Sequence, residues 1–215
     1  MRGACSLVLA AVAFAAQAQL PPPPPLLTPF ADNQQWVVER NFVYQIGNSP
    51  IAISVPRGFV TDFASIPQTF WSLGLTPNST YSRAAIVHDY LYWTQGCTRL
   101  QADNLFLIAM KESRVGTVTR DAVYQGVRLG GGASWDANAA ARQRGLPRVI
   151  PERSMAIGAL DLWPAFQQRL AAAGVTDPPL ESTPAPAYCA IGDTTDVPDV
   201  APPPPLPASA ASGAG

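Results

Sequence analysis

The stretch that decides the fold is residues 81–110, YSRAAIVHDYLYWTQGCTRLQADNLFLIAM. Apolar residues recur at helical spacing after Ser82, and Gly96 ends this first helical segment. Thr98 and Gln101 then have the form of a capping box, which opens a second helix. Because the connection between the two segments is short, we expect two antiparallel helices that pack side by side.

His88, the single histidine of the chain, and Asp103 are predicted to face each other across this hairpin. His88 precedes the turn by about six residues, or roughly 9 Å along the helix axis. Asp103 follows the turn by about five residues, or roughly 7 Å, which places it at a similar level. A carboxylate there accepts a hydrogen bond from one imidazole nitrogen and leaves the other to take a proton from water.

The same two residues also have a purely structural interpretation. A His88–Asp103 pair on apolar helix faces satisfies two buried polar groups without any chemistry. Against this, Asp89 and Tyr92 add polar groups to helices otherwise made of Ala, Val, Leu and Phe. Burying an ion pair rarely stabilises a fold, so this concentration favours a functional site.

The composition excludes several classes of protein. Charged residues make up 13% and hydrophobic residues 47% of the chain, with a formal net charge of −1. This balance lacks the basic surface that nucleic-acid binding requires. The single histidine also excludes a phosphohydrolase that needs several histidines for its metals.

The ends of the chain have the character of tails. Residues 1–18 have the form of a secretory signal peptide, with Arg2, an apolar segment and Ala16-Gln17-Ala18 as a cleavage site. A transmembrane anchor is the alternative, but the apolar run is too short to span a bilayer. Residues 19–30 are a proline-rich spacer, and residues 176–215 are expected to be mostly disordered except near Cys189. The predicted location is therefore the periplasm or the medium of a bacterium.

Export leaves two cysteines in the mature chain, Cys97 and Cys189. In an oxidising compartment such a pair is expected to form a disulfide, which ties the C-terminal segment to the turn of the hairpin. A two-cysteine metal site is the alternative, but it lacks the further ligands that zinc needs.

The patterns between the two tails predict one α+β domain over residues 31–175. Residues 35–55 have the alternation and turns of a small antiparallel β-meander, packed against the helical hairpin. A third helix is expected over residues 117–129, with the glycines at 130–132 ending it and residues 134–145 forming an exposed helical arm. A further helical segment is expected within residues 155–174, where Pro164 is acceptable in a first turn.

Three more residues have competing interpretations. Asp62, in a loop of small and polar residues, either bonds nearby amides or directs its carboxylate at the His88 site. Ser65 is a candidate nucleophile, although the chain lacks the G-x-S-x-G turn of serine hydrolases. Arg128 either forms a surface ion pair or offers a fork to a phosphate or carboxylate.

The motifs G-F-x-T-D-x-A-S-x-P, A-A-x-x-H-D-Y-L-Y and A-D-x-x-F follow one another along the chain, before a helix that ends V-R and a glycine-rich turn. Together they resemble domain-of-unknown-function family 1353 of bacteria and their phages, over residues 36–135. This resemblance implies an uncharacterised family and carries no activity with it.

A more local resemblance bears on chemistry. The H-D-x-x-Y form of residues 88–92 is similar to that of secreted phospholipases A2. The resemblance implies that His88 is the general base, Asp103 its orienting carboxylate and Tyr92 a hydrogen-bonding tyrosine. It also implies Ca²⁺ at Asp89, with Asp62 as a further oxygen ligand. The glycine-rich calcium loop of those enzymes has no counterpart before this helix.

Three functions follow from these observations as expectations. The first is an exported hydrolase of phospholipase A2-like type, which cleaves an ester with water activated by the histidine–aspartate pair. The second is a hydrolase of the cell envelope that acts on peptidoglycan. The third is a non-catalytic envelope or phage-structural module in which the same pair only stabilises the fold. The sequence leaves the oligomeric state open.

Overall fold

The computed structural model describes residues 25–63, 81–179 and 184–199. Within these ranges the chain forms five short strands, five α-helices and a 3-10 helix at Glu152–Ser154. In chain order the elements are β1 (Leu27–Pro29), β2 (Trp36–Val38), β3 (Phe42–Gln45), β4 (Ala52–Val55), β5 (Val60–Thr61), α1 (Tyr81–Thr94), α2 (Arg99–Glu112), α3 (Thr117–Gln143), α4 (Trp163–Ala172) and α5 (Tyr188–Ile191). The predicted α+β class is confirmed.

The strands form two antiparallel sheets, so the prediction of one meander over residues 35–55 is wrong. β1, β2 and β5 make a three-stranded sheet with β2 in its centre, and β3 pairs only with β4. The run Phe59-Val60-Thr61, directly before Asp62, pairs with β2 instead, and Val38 N–H donates to the carbonyl of Phe59 at 2.9 Å. β2 therefore turns away from β3.

The proline-rich spacer is shorter than predicted. β1 begins at Leu27, inside the range assigned to the spacer, and it pairs with β2 from Leu27–Val38 to Pro29–Trp36. This pairing is possible because β1 lies at the edge of its sheet, where a proline does not interrupt an inner ladder.

α1 and α2 form the predicted helical hairpin. Thr98 caps α2, accepting from the backbone N–H of Gln101, while the Gln101 side chain accepts from the backbone N–H of Thr98. Both helices are buried over most of their length, and they form the main core together with β3 and β4. The hairpin therefore holds its polar side chains inside the protein rather than on a solvent-facing surface.

α3 continues through the three glycines that were predicted to end it. It runs from Thr117 to Gln143, so the helix predicted to stop at Leu129 and the separate exposed arm are one element. Its second half packs on α1: Trp135 contacts Tyr92 edge to face at 5.1 Å, and Arg142 Nη1 donates to the carbonyl of Thr94 at 2.9 Å. Packing of this kind outweighs the low helix propensity of glycine.

A smaller second core lies beside β1, β2 and β5. α4 begins at Trp163, with Pro164 in its first turn as expected, and its apolar face covers this core. The buried members are Phe30, Val37, Val60, Ile150, Trp163, Phe166, Leu170 and Val175.

The C-terminal segment, residues 184–199, lies against α2. Cys97 and Cys189 form the expected disulfide. Beyond it, Asn104 Nδ2 donates to the carbonyl of Gly192 at 2.8 Å, and Lys111 Nζ donates to the carbonyl of Thr195 at 2.5 Å. The packed part of this segment extends well past Cys189.

No helix in the described part of the chain has the length and apolarity that crossing a bilayer requires. The predicted signal peptide, residues 1–18, and Ser65 both lie outside the described residues.

Candidate functional site

His88 on α1 and Asp103 on α2 are in direct contact, as the spacing predicted. His88 Nε2 lies 3.0 Å from Asp103 Oδ1, and the two residues are 2% and 0% exposed. The imidazole lies against the ring of Phe106 with a centroid distance of 4.4 Å and against that of Tyr92 at 4.0 Å. The ring orientation is therefore fixed by packing as well as by a hydrogen bond.

Asp103 accepts hydrogen bonds from three further side chains. Tyr92 Oη donates at 2.6 Å to the same oxygen as His88, whereas Arg128 Nη1 donates at 2.5 Å and Arg99 Nη1 at 3.4 Å to the other. Arg128 is thus a site residue that binds a carboxylate of the protein itself. Burial alone raises the pKa of Asp103, but its hydrogen bonds outweigh this effect and lower the pKa below the ordinary value. The carboxylate is therefore ionised at neutral pH.

The charge on Asp103 determines which tautomer of His88 is present. An ionised carboxylate can only accept hydrogen bonds, so Nε2 of His88 carries the proton and donates it. Burial lowers the pKa of His88 below its ordinary 6.5, although Asp103 partly opposes this shift. The imidazole is accordingly neutral at pH 7, with a lone pair on Nδ1. Among the described residues that nitrogen, although buried, has no hydrogen-bond partner.

His88 lines a cavity of about 220 Å³ between α1, α3 and the loops that follow β5 and α3. Its lining residues are Asp62, His88, Asp89, Tyr92, Val127, Gly131, Ser134, Ala137, Asn138 and Arg148. Ser134 and Ala137 are exposed, so solvent reaches the cavity along α3. A volume below the roughly 300–1000 Å³ of pockets for drug-sized ligands fits a reacting group rather than a whole large substrate.

Asp89 and Asp62 both line this cavity, and they are in contact. Asp89 Oδ2 accepts from Thr61 Oγ1 at 2.5 Å and from the backbone N–H of Asp62 at 3.0 Å. Burial and the nearby charge of Asp62 raise the pKa of Asp89 well above its ordinary value, while Arg148 and Thr61 act in the opposite direction. Asp62 therefore lies at the cavity of His88 and contacts Asp89 through its backbone N–H, while the amides of Ala64 and Ser65, its alternative partners, lie outside the described residues.

Within the described residues the donor set is smaller than a calcium site requires. Asp89 already accepts two hydrogen bonds from Thr61 and Asp62, and the described residues contain no group of three or more His, Cys, Asp or Glu that could hold a metal ion. Calcium prefers six to eight oxygen ligands. We therefore derive no chemical step through Ca²⁺ at Asp89 and Asp62.

Arg148 belongs to the site although the sequence analysis did not select it. It follows α3, and its guanidinium reaches Asn138 on α3, with Nη1 donating to Oδ1 at 3.0 Å, while Nη2 lies 3.8 Å from Asp62 Oδ1. Arg99 and Thr61 were also missed. The A-D-x-x-F motif marked Asp103 but not the arginine four residues before it, an (i, i+4) relation that does indicate a partner.

Residues 36–127 match a family model described as "Protein of unknown function (DUF1353)". The resemblance to this family is confirmed. The DUF1353 match includes β2 to β5, both helices of the hairpin and the first part of α3, and therefore most residues of the site.

One relative of known sequence is the "Uncharacterized protein y4jT" of Sinorhizobium fredii (strain NBRC 101917 / NGR234). It is 36% identical over 74 residues, which is 34% of this chain and 22% of the relative. The match thus covers about a fifth of that relative's length. No solved structure matches the chain significantly.

Proposed function

We propose that this protein hydrolyses an ester, with His88 as the general base that removes a proton from water. One observation carries the proposal: Nε2 of His88 is bonded to Asp103 at 3.0 Å, while the buried Nδ1 has no partner among the described residues and the ring lines a cavity. A neutral imidazole of fixed orientation with a lone pair is what general-base catalysis requires.

The residues around Asp103 support this role. As His88 takes a proton it becomes positively charged, and the ionised carboxylate of Asp103 stabilises that charge. Tyr92 and Arg128 hold the carboxylate in place with hydrogen bonds of 2.6 and 2.5 Å. Tyr92 and Arg128 are positioning residues in this scheme, since they act on water only through Asp103 and His88.

The size and lining of the cavity favour a small ester. Of the ten lining residues that the structure describes, seven carry polar or charged side chains and three, Val127, Gly131 and Ala137, do not. A long acyl chain would need an apolar channel, so phospholipid is the less suitable substrate. The second candidate function, hydrolysis of the bacterial cell envelope, gains support from these polar side chains. Export by the predicted leader would bring the protein to such a substrate.

The test compares hydrolysis of 4-nitrophenyl butyrate, phospholipid vesicles and peptidoglycan by the wild type and the His88→Ala variant, each with and without EDTA. We expect His88→Ala to lower kcat/KM by about 10²–10⁴-fold, the usual contribution of a positioned general base. Gln168→Ala, an exposed position on α4, serves as the control and should leave the rate unchanged.

The EDTA comparison tests the calcium hypothesis separately. Loss of activity in EDTA, with recovery on adding Ca²⁺, would show that a cation takes part in the reaction. Equal background rates for the wild type and His88→Ala on all three substrates would contradict catalysis. If His88→Ala then also lowered thermal stability, the structural role of the His88–Asp103 pair would be favoured.

A further inference from the structure

The guanidinium of Arg148 is held rigidly at the edge of the cavity. Its Nε donates to the carbonyl of Val60 at 2.8 Å, and Nη1 donates to Asn138 Oδ1 at 3.0 Å. The group also lies over the rings of Phe59 and Trp93, with distances of 5.7 and 5.6 Å to their centroids. With an 11% exposed side chain, Arg148 is fixed by its surroundings before any ligand binds.

The backbone of Arg148 is fixed by a buried carboxylate. Asp177 Oδ1 accepts from the backbone N–H groups of Arg148 and Val149, each at 2.8 Å, and its Oδ2 accepts from Trp93 Nε1 at 2.5 Å. This clamp joins the loop after α3 to α1. An arginine with so many supporting contacts has little freedom to lose when it binds a substrate.

One nitrogen of Arg148 remains without a hydrogen bond to the described residues. Asp62 Oδ1 lies 3.8 Å from Nη2, which is within the range of an ion pair but too far for a hydrogen bond. The cavity is therefore lined by two groups with complementary capacities: His88, whose Nδ1 accepts a proton, and Arg148, whose Nη2 can donate a hydrogen bond.

We propose that Arg148 is a second catalytic residue, which binds the carbonyl oxygen of the ester through Nη2 and stabilises the negative charge that develops there. This inference rests on the proposed function of His88. A preorganised donor in a partly dehydrated cavity stabilises such a charge strongly, because little reorganisation is needed during the reaction. Arg148 thus takes the role that the phospholipase A2 resemblance gives to a calcium ion.

The reaction balances with the residues of the chain alone. His88 Nδ1 takes one proton from water while the oxygen of that water forms a bond to the carbonyl carbon. The carbonyl π electrons move to the oxygen beside Arg148. When the intermediate collapses, the bond to the alcohol oxygen breaks, and the leaving oxygen takes the proton back from His88. The products are a carboxylic acid and an alcohol.

The test measures two quantities for the wild type, Arg148→Gln, Arg148→Lys and His88→Ala: hydrolysis of 4-nitrophenyl butyrate, and calorimetric binding of a butylphosphonate monoester that imitates the tetrahedral intermediate. Arg142→Gln is the matched control, since Arg142 binds Thr94 and Gln95 and does not line the cavity. Circular dichroism and urea unfolding establish that each variant is folded.

We expect Arg148→Gln to lower kcat by about 10²–10³-fold with KM nearly unchanged, as when one oxyanion donor is removed from a hydrolase. Phosphonate affinity should fall in parallel with kcat/KM, because both report binding of the transition state. Arg148→Lys should keep part of the activity and part of the phosphonate affinity. In both Arg148 variants the acid limb of the pH–rate profile, which His88 sets, should stay at the same pH. Arg142→Gln should behave as the wild type.

The two proposals fail in different ways. If folded Arg148→Gln keeps wild-type kcat and phosphonate affinity, or loses activity only through KM, Arg148 does not stabilise the oxyanion, whatever His88→Ala shows. If His88→Ala keeps wild-type activity, the role of His88 as base is wrong, whereas phosphonate binding still reports on Arg148. Absence of phosphonate binding by the wild type would overturn the role of Arg148.

Discussion

Gly131 offers the sharpest test of how the site is assembled. It lies in the middle of α3, where a Cβ atom would be 2.4 Å from Tyr92 Oη and 3.3 Å from Cζ of the same ring. Its neighbour Gly130 is exposed and has nothing within 4 Å of the same position. Gly131→Ala and Gly130→Ala therefore make the same chemical change in one helix with and without a collision.

The tyrosine cannot move away cheaply. Tyr92 is 4% exposed, its ring packs on Trp135 at 5.1 Å, and its hydroxyl donates to Asp103 at 2.6 Å. Displacing it loses a hydrogen bond to a charged group, worth about 1.5–3 kcal/mol. Overpacking of a core adds about 1–3 kcal/mol. The gain in helix propensity from Gly to Ala offsets about 1 kcal/mol of this cost.

We therefore expect Gly131→Ala to lower the free energy of unfolding by roughly 1–3 kcal/mol, once partial relaxation of the ring is allowed. Gly130→Ala should raise it by up to about 1 kcal/mol. Urea unfolding followed by tryptophan fluorescence measures both values, provided that the m-values agree. In the hydrolase assay Gly131→Ala should be slower than Gly130→Ala, because a displaced Tyr92 no longer holds Asp103.

A double-variant cycle isolates the collision. In a Tyr92→Phe background the hydroxyl is absent, so the added methyl of Gly131→Ala should cost much less than in the wild type. The coupling between these two sites should then reach about 0.5–3 kcal/mol, the range seen for residues in contact. Equal effects of Gly131→Ala and Gly130→Ala, or additivity with Tyr92→Phe, would refute the close approach of α3 to Tyr92.

Two further predictions concern pH and the disulfide. The pKa of His88 is below 6.5 in the folded protein, so its contribution to stability is complete above pH 6.5 and is lost as the pH falls from 6.5 towards the lowered value. Below pH 6.5 the unfolding free energy of the wild type should fall by up to about 1.4 kcal/mol per pH unit more than that of His88→Gln. If the two proteins lose stability equally as the pH falls, the pKa of His88 is not lowered. Replacing both Cys97 and Cys189 by serine should lower the free energy of unfolding by about 2–4 kcal/mol, while catalysis persists because residues 184–199 do not line the cavity; an unchanged urea midpoint would contradict this.

The central pair of the site could be predicted because it depends on local geometry. The rise per residue of a helix and one short turn are enough to place His88 beside Asp103, and the capping box fixes where the second helix begins. The sequence left two interpretations of Arg128 open, because its partner Asp103 lies 25 residues away on a different helix and no local pattern links the two.

The rest of the site depends on long-range packing that a single sequence does not show. Arg148 reaches the cavity because Asp177 holds its backbone and Val60 accepts from its side chain. Thr61 reaches Asp89 because β5 pairs with β2 rather than remaining a loop. No local sequence pattern links Arg148 or Thr61 to its partners, so only the fold shows that these two residues belong to the site.

The errors about α3 have one physical origin. Glycine has a low helix propensity, and three in succession normally indicate an end. Here the absence of a side chain at Gly131 lets α3 approach Tyr92, and burial of Trp135 against that ring stabilises the continued helix. Tertiary contacts thus outweigh a local preference at the position where the helix meets the site.

The segment that lies against α2 has a consequence for the time course of biosynthesis. Asn104, on a helix made early, is buried and donates to Gly192, which leaves the ribosome 88 residues later. Until those residues emerge, the face of α2 that they cover remains hydrated and Cys97 lacks its disulfide partner, Cys189. Packing of this face of α2 therefore waits until residues 189–195 have been made, and a nascent chain halted before Cys189 would present the Cys97 thiol to an oxidant or chaperone.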